Sequence, residues 1–260
     1  MDVRHQQTLD CLLEATAAAE DRHFWFRGFR RFVLPLVARA AAGLNRPRVL
    51  DCGCGTGGML PHLAAHGWTV GLDASAVGLA IARRNGPVSL VRSLAGSLPF
   101  SGASFDIVTC FDVLYSLDAA EEAHAVSEIF RVLVSGGALI VTVAALPVLS
   151  GDHSAFSAER RRYRRRDLEG LLQTAGFRID RLTYTNATLV PALLARRTLQ
   201  RRRGSRAVGS DLAVPRVPVN ALLAAMLAAE AALARHVDLP IGSSLLALAR
   251  KPLSVPAAHR

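Results

Sequence analysis

Two acids and a run of closely spaced glycines carry the clearest chemical signal in this chain. In Arg48-Val49-Leu50-Asp51-Cys52-Gly53-Cys54-Gly55-Thr56-Gly57-Gly58, a short apolar strand runs into an acid and then into the glycines. Glycine permits a sharp turn with positive φ and lets a ligand approach the backbone without meeting a Cβ. The free N–H groups where the next helix starts can then receive a polar or anionic group. Gly53-x-Gly55-x-x-Gly58 also fits the dinucleotide fingerprint, a weak signal by itself. Asp51 tilts the choice, because a carboxylate just ahead of the turn repels a pyrophosphate and suits an ammonium. Asp73 closes a second expected strand, Trp68 to Asp73, where an acid can accept both hydroxyls of a ribose. The ligand so described has a cationic end, a ribose and no required phosphate.

Four segments in this order resemble the class I S-adenosylmethionine-dependent methyltransferases. They are Leu50 to Gly57, Gly71-Leu72-Asp73-Ala74-Ser75, Leu98-Pro99-Phe100 with Ser104-Phe105-Asp106, and Arg131-Val132-Leu133-Val134-Ser135-Gly136-Gly137. Ahead of them, Glu20-Asp21-Arg22-His23-Phe24-Trp25-Phe26-Arg27 resembles the pre-domain segment of a large subfamily, which implies helices closing over the cofactor. The resemblance implies S-adenosyl-L-methionine as cofactor. It implies contacts from Asp51, Gly53, Cys54, Gly55, Gly57, Asp73, Ala74, Ser93, Leu94, Phe111 and Asp112, and from Trp25 and Arg27 of the lid. Arg27 and Arg31 share one helical face, so either could meet the cofactor's carboxylate. The chain also departs from the family pattern. Ser93 to Ser97 offers no acid for the adenine amine, Ser116 stands where a histidine is familiar, and Glu159 stands where relatives often carry histidine. For proton transfer from an acceptor, His153 is the preferred base, with Tyr115 and Asp112 as rivals.

The elements that must position these residues alternate between strand and helix. Strands are expected at Val49–Leu50, Trp68–Asp73, Pro87–Val91, Phe105–Phe111, Ala138–Ala145, Phe177–Thr185 and Ser243–Arg250. Helices are expected over 6–22, 57–66, 75–84, 118–133 and up to Ala175, with Ser75 as an N-cap and Gly176 as a C-terminal stop. The loop Phe111 to Ser116 follows the fourth strand, where ligands sit in open α/β sheets. The expected fold is a Rossmann-like, doubly wound α/β sheet of seven strands with the last antiparallel. The expected organisation is an N-terminal helical lid at 1–46, a cofactor-binding core at 47–186, a helical insertion at 187–242, and a last strand and tail at 243–260. Within the insertion, a helix near 189–200, a basic linker at 201–210 and an apolar helix at 219–236 are expected. That last helix needs burial, and the active-site mouth is its expected partner.

Composition narrows the function further. Cys11, Cys52, Cys54 and Cys110 form no disulfide framework, and the lone C-x-C has no partner pair for zinc. His62 and His66 are four apart but lack a third ligand, so no metal site is expected. Met1 to Glu20 has no signal-peptide pattern, and no uncharged apolar run reaches about 18 residues. A cytoplasmic protein fits these features. The net charge is +10, yet Lys251 is the sole lysine among 31 basic residues, and no aromatics interleave Arg196, Arg197, Arg201, Arg202, Arg203 and Arg206. A nucleic-acid stacking platform is therefore not indicated. Solvated surface and peripheral contact with an anionic membrane stay open, as does the oligomeric state. The function expected is methyl transfer to a small, largely apolar acceptor, a natural product or lipid-like molecule. The alternatives are a non-catalytic cofactor-binding partner protein and a nicotinamide-dependent oxidoreductase. Asp51 and the Leu98-Pro99-Phe100 segment speak against the second.

Overall fold

The computed structural model describes residues 12–86, 88–149, 159–203 and 213–253. Its centre is one seven-stranded sheet in the order β3-β2-β1-β4-β5-β7-β6. The strands are β1 (Arg48–Cys52), β2 (Trp68–Asp73), β3 (Ser89–Arg92), β4 (Phe105–Phe111), β5 (Leu133–Ala144), β6 (Arg178–Thr185) and β7 (Ser244–Arg250). β1 to β5 run parallel, and β7 lies antiparallel between β5 and β6. The helices are α1, helical over 12–19, then α2 (Phe24–Ala41), α3 (Leu60–Ala64), α4 (Ala76–Ala82), α5 (Ala119–Val132), α6 (Arg165–Thr174), α7 (Val190–Arg203) and α8 (Val217–Ala234). This is the Rossmann-like arrangement that the alternating pattern implies.

Because the central strands are apolar at successive positions, both faces of the sheet are covered. Leu50, Val70, Leu72, Val108, Leu139 and Val141 face a core built with α5 and α6. Val49, Ile107, Ile140, Leu246 and Leu248 face the opposite core, built with α2 and α8. Local chemistry sets the ends of the helices. Ser75 Oγ accepts from Gly78 N at 3.1 Å, capping α4. Asp118 and Glu121 form a reciprocal capping box at the start of α5. Gly176, at φ +94°, stops the chain after α6 before it re-enters the sheet.

Three expectations are corrected. The strand expected from Ala138 begins at Leu133, so Ser135-Gly136-Gly137 is an irregularity inside β5: pairing slips from Phe105↔Leu133 to Ile107↔Ala138. The left-handed Gly136, φ +79°, absorbs the extra residues. α7 continues through 203, so the arginines at 201–203 belong to a helix; 204–212 lie outside the described residues.

The third correction concerns α8. Rather than walling the mouth, it lies beside α2 on the sheet face, burying Ala224, Leu227, Ala231 and Ala234. The two helices run parallel. Asn220 Oδ1 accepts from Phe24 N at 2.9 Å, and Asn220 Nδ2 donates to Arg22 O at 2.8 Å. Gly28 brings them together, because a Cβ there would sit 2.5 Å from Leu227 Cδ1. The one acid of α8, Glu230, is buried and accepts from Ala187 N, Thr188 N and Thr188 Oγ1 at 2.8, 2.9 and 2.7 Å. That carboxylate ties α8 to the end of β6.

Candidate active site

The glycine segment leaves β1 at the carboxyl edge of the sheet. Gly53 and Cys54 both donate their N–H to Leu72 O, at 2.7 and 2.9 Å, so the turn bends back over β2. Gly53 sits at φ +84°, and a Cβ on it would collide with Val113 Cγ2. Only glycine satisfies both demands. Asp73, at the end of β2, braces the same turn: Oδ2 accepts from Gly55 N and Oδ1 from Ser75 N, each at 2.8 Å. Its carboxylate therefore joins the glycine turn to the start of α4.

Asp51 lies beneath the turn and is 2% exposed. Its Oδ1 accepts from Thr109 Oγ1 at 2.6 Å. Burial pushes its carboxyl up to about 7, the Thr109 hydrogen bond opposes the rise, and the charge of Asp73 adds to it. A buried acid of this kind gains its charge most readily when a cation arrives beside it. Cys54 turns away from the edge. Its side chain packs with Leu60, Leu79 and Ala82, and burial holds the thiol far above its ordinary value. Only the backbone of Cys54 is left for a ligand.

The segment ahead of α2 reaches this turn through Glu20, a residue of its motif that the sequence pattern did not single out. Glu20, buried, accepts from Thr56 Oγ1 at 2.8 Å, and its carboxylate occupies the space a Cβ on Gly58 would need. Burial raises its carboxyl, with the Thr56 hydrogen bond opposing. The acid-x-x-His spacing was the available signal. Its histidine, His23, caps α2, with Nδ1 accepting from Trp25 N at 3.2 Å. Leu13 of α1 lies 3.6 Å from where a Gly55 Cβ would be, so α1 also approaches the glycine turn.

Further along the edge, β4 ends at Phe111, whose ring meets Phe29 edge-on at 5.2 Å, and Trp25 stacks on Phe29 at 5.4 Å. Asp112 follows at φ +58°, a left-handed non-glycine residue of the kind that gathers at functional sites. Its N–H donates to Thr142 O at 3.1 Å, and its Oδ1 accepts from Thr142 Oγ1 at 3.2 Å. Burial raises the Asp112 carboxyl to about 6; Thr142 opposes this, Glu159 adds to it and Arg162 opposes it. Burial likewise holds the Tyr115 phenol well above its ordinary value.

Asp112 and Tyr115 open onto a cavity of about 470 Å³. Phe24, Trp25 and Phe26 of α2, Leu149, Leu189 and Leu193 give it apolar walls, and Ala213 and Pro215 stand at the approach to α8. Its polar side carries Glu159 and Arg162, an ion pair at 2.7 Å, with Ser243 and Ser244. Arg162 Nη1 also donates to Ala145 O at 2.9 Å, which fixes the pair to the end of β5. Val113, the side chain that forbids a Cβ at Gly53, follows Asp112 directly, so the glycine turn and the cavity are neighbours.

Other expected residues stand apart from this cluster. Arg27 is exposed and Leu94 is 66% exposed. Ala74 O accepts from Arg92 Nε at 3.2 Å, and Ser93 Oγ donates to Ser97 O at 2.7 Å, so that hydroxyl is already engaged. His153 lies outside the described residues. Ser116 Oγ donates to Val113 O at 2.7 Å and closes its own turn. Glu159 and Arg162 were missed as cavity residues because nothing in their arginine-rich surroundings marks which side chains turn inward. Among the described residues, no three metal-ligating side chains converge.

A family model described as a methyltransferase domain matches residues 50–141, the span from β1 to β5. A ubiquinone/menaquinone biosynthesis C-methyltransferase of Proteus mirabilis is 30% identical over 187 residues, covering 57% of this chain and 72% of that protein. The chain belongs to the S-adenosylmethionine-dependent methyltransferases. A probable member of this family from Mycolicibacterium smegmatis is 31% identical over 166 residues, 62% of each chain, so the alignment spans less than two-thirds of that relative's length. The fold of an S-adenosylmethionine-dependent methyltransferase from Mesorhizobium loti superposes with a TM-score of 0.54 at 19% identity, covering 83% of this chain and 96% of that one. S-adenosyl-L-methionine is the family's cofactor. The residues at the glycine turn fit it: a backbone cradle that excludes a Cβ, a buried acid for an ammonium and an acid at the end of β2.

Proposed function

We propose that this chain transfers the methyl group of S-adenosyl-L-methionine to a small, largely apolar acceptor, a natural product or lipid-like molecule. The observation that carries the reading is the cavity of about 470 Å³ beside the glycine turn, walled by Phe24, Trp25, Phe26, Leu149, Leu189 and Leu193. Apolar walls with a few converging polar groups suit such a ligand.

In this reading Gly53, Gly55 and Gly57 cradle the cofactor, the backbone of Cys54 lines it, and Asp73 takes the ribose. Asp51 faces the ammonium end. Ala74, Ser93 and Leu94 flank the adenine by their backbone, while Phe111, Asp112 and Trp25 separate cofactor from acceptor. Arg27 offers a cation to the cofactor's carboxylate from the lid. When bound, the cofactor supplies an electrophilic methyl group, so the chain's main work is alignment and exclusion of water. Orientation of this kind can contribute roughly 7–11 kcal/mol. The aromatic lid shields the reacting centre. Where the acceptor must lose a proton, His153 keeps its standing as the preferred base; among the described residues the rival Asp112 is the better placed to take it, and Tyr115 stays protonated. Residues 1–46 act as lid and 47–186 with 243–260 as core; of the 187–242 insertion, Leu189, Leu193, Ala213 and Pro215 line the acceptor side while α8 packs on α2. A reducing cytoplasmic setting accords with Cys52, Cys54 and Cys110, all buried free thiols.

The test is turnover with S-adenosylmethionine across acceptors graded from apolar to highly polar. Methylation should favour the apolar members. Faster methylation of the highly polar members would remove the apolar-acceptor assignment.

A further inference from the structure

α8 commits only one side to the core. Its outer side exposes Val217, Ala221, Leu222, Ala225, Ala229 and Leu233 in a strip along the whole helix; Val217 is 83%, Leu222 62% and Leu233 55% exposed. The helix is apolar over its whole length, yet of its 18 residues only Ala224, Leu227, Glu230, Ala231 and Ala234 are buried. At 1.5 Å per residue the strip is about 27 Å long. Exposed apolar surface of this extent marks an interaction site.

Charge identifies the occupant. Residues 217–236 contain one acid, Glu230, and it is buried against Ala187 and Thr188. Arg216 precedes the strip and Arg235 ends it, both exposed. Next to Arg235, at the end of α8, a basic hollow of about 440 Å³ on α2 and His66 carries Arg30 and Arg31 over an apolar floor of Leu34 and Pro35. Arg30 faces the carboxylates of Asp21, at 3.9 Å, and Glu20, while Arg31 is exposed. A second copy would bring another chain of charge +10 and, in either orientation, set the arginines at the ends of α8 against one another. An anionic lipid surface offers the opposite charge beside an apolar phase.

We infer that the outer face of α8, with Arg216, Arg235 and the basic hollow beside it, docks on an anionic membrane. The helix lies flat in the interface rather than crossing the bilayer, because Ala224, Leu227, Ala231 and Ala234 are held in the protein core. The position of this face deepens the proposed function, on which the acceptor's identity rests. Ala213 and Pro215, just ahead of α8, line the cavity, and Asn220 in its first turn holds the lid backbone at Phe24 and Arg22. Docking would therefore bring the cavity's approach to the lipid surface, where an apolar acceptor is dissolved.

The experiment is co-sedimentation with phosphatidylcholine vesicles, with and without phosphatidylglycerol, at low and raised salt. The chain should pellet with the phosphatidylglycerol vesicles at low salt and leave them as salt rises. Replacing Arg216 and Arg235 by alanine should weaken binding roughly fivefold per residue. Leu222→Asp with Leu233→Asp should abolish it, while S-adenosylmethionine affinity by calorimetry, which also reports folding, stays at the wild-type value. A wild-type chain left in the supernatant at low salt, or a leucine double variant that binds like wild type, would overturn the inference. A dimer in solution that the leucine substitutions disperse would assign the face to a second copy and overturn it too. If vesicle binding holds and no apolar acceptor is methylated, the docking face stands and the acceptor assignment fails.

Discussion

At the residue scale, two carboxylates with different surroundings divide the work at the glycine turn. Asp73 is tied to Gly55 N and Ser75 N and stays at the sheet's edge. Its replacement by alanine should weaken S-adenosylmethionine binding by about 1–3 kcal/mol, the cost of losing bonds to a charged acceptor. Calorimetry with an unchanged dissociation constant in a folded variant would remove Asp73 from the cofactor site. Asp51 makes a pH-dependent prediction. Its carboxyl is raised to about 7, so the free protein holds a proton there that a bound ammonium would displace. Affinity should therefore climb with pH, approaching tenfold per unit below about 7, and level off above it. Asp51→Asn should flatten that profile; a wild-type profile already flat from pH 5 to 8 would mean that Asp51 does not meet a cation. The stability linkage has the opposite sense. A raised carboxyl favours the folded state below the ordinary carboxylate range, and that contribution is lost as pH rises through about 7.

At the element scale, the α2–α8 pair covers one face of the sheet, and its closest approach is Gly28 against Leu227. Leu227 is fully buried, and Gly28→Val would force branched atoms into its place. Overpacking of this kind should cost about 1–3 kcal/mol, read as a lowered midpoint in urea at unchanged slope. A variant as stable as wild type would show that the two helices can separate freely. Elements with local signals were legible in the sequence: Ser75 and Asp118 announce the starts of α4 and α5, Gly176 announces the stop after α6, and apolar runs announce β4 and β5. The partner of α8 was not legible. An apolar helix must be buried somewhere, yet composition does not say whether against the cavity or against α2; the deciding contacts, Gly28–Leu227 and Asn220–Phe24, join residues about 200 positions apart. The irregularity in β5 was hidden for a related reason, since Ser-Gly-Gly suits a turn and a bulge equally well.

At the scale of the whole molecule, one edge of the sheet gathers what methyl transfer requires. The glycine turn, Asp51 and Asp73 stand where β1 and β2 end; Asp112 and the Glu159–Arg162 pair stand where β4 and β5 end; the aromatic start of α2, with Leu189 and Leu193, borders the cavity beside them. The glycine turn and the order of acids were readable because backbone geometry allows few residue types there. The cavity's inward-facing polar residues were not, because an arginine-rich segment reads as surface until the fold turns two of its members inward. The most direct measurement supplies S-adenosylmethionine carrying an isotopically labelled methyl group to the purified chain with a lipid-containing cell extract, and follows the label by mass spectrometry. Labelled product is expected in the organic phase, dependent on the chain and lost in Asp73→Ala. Cofactor binding with no chain-dependent transfer of label to any molecule would contradict it.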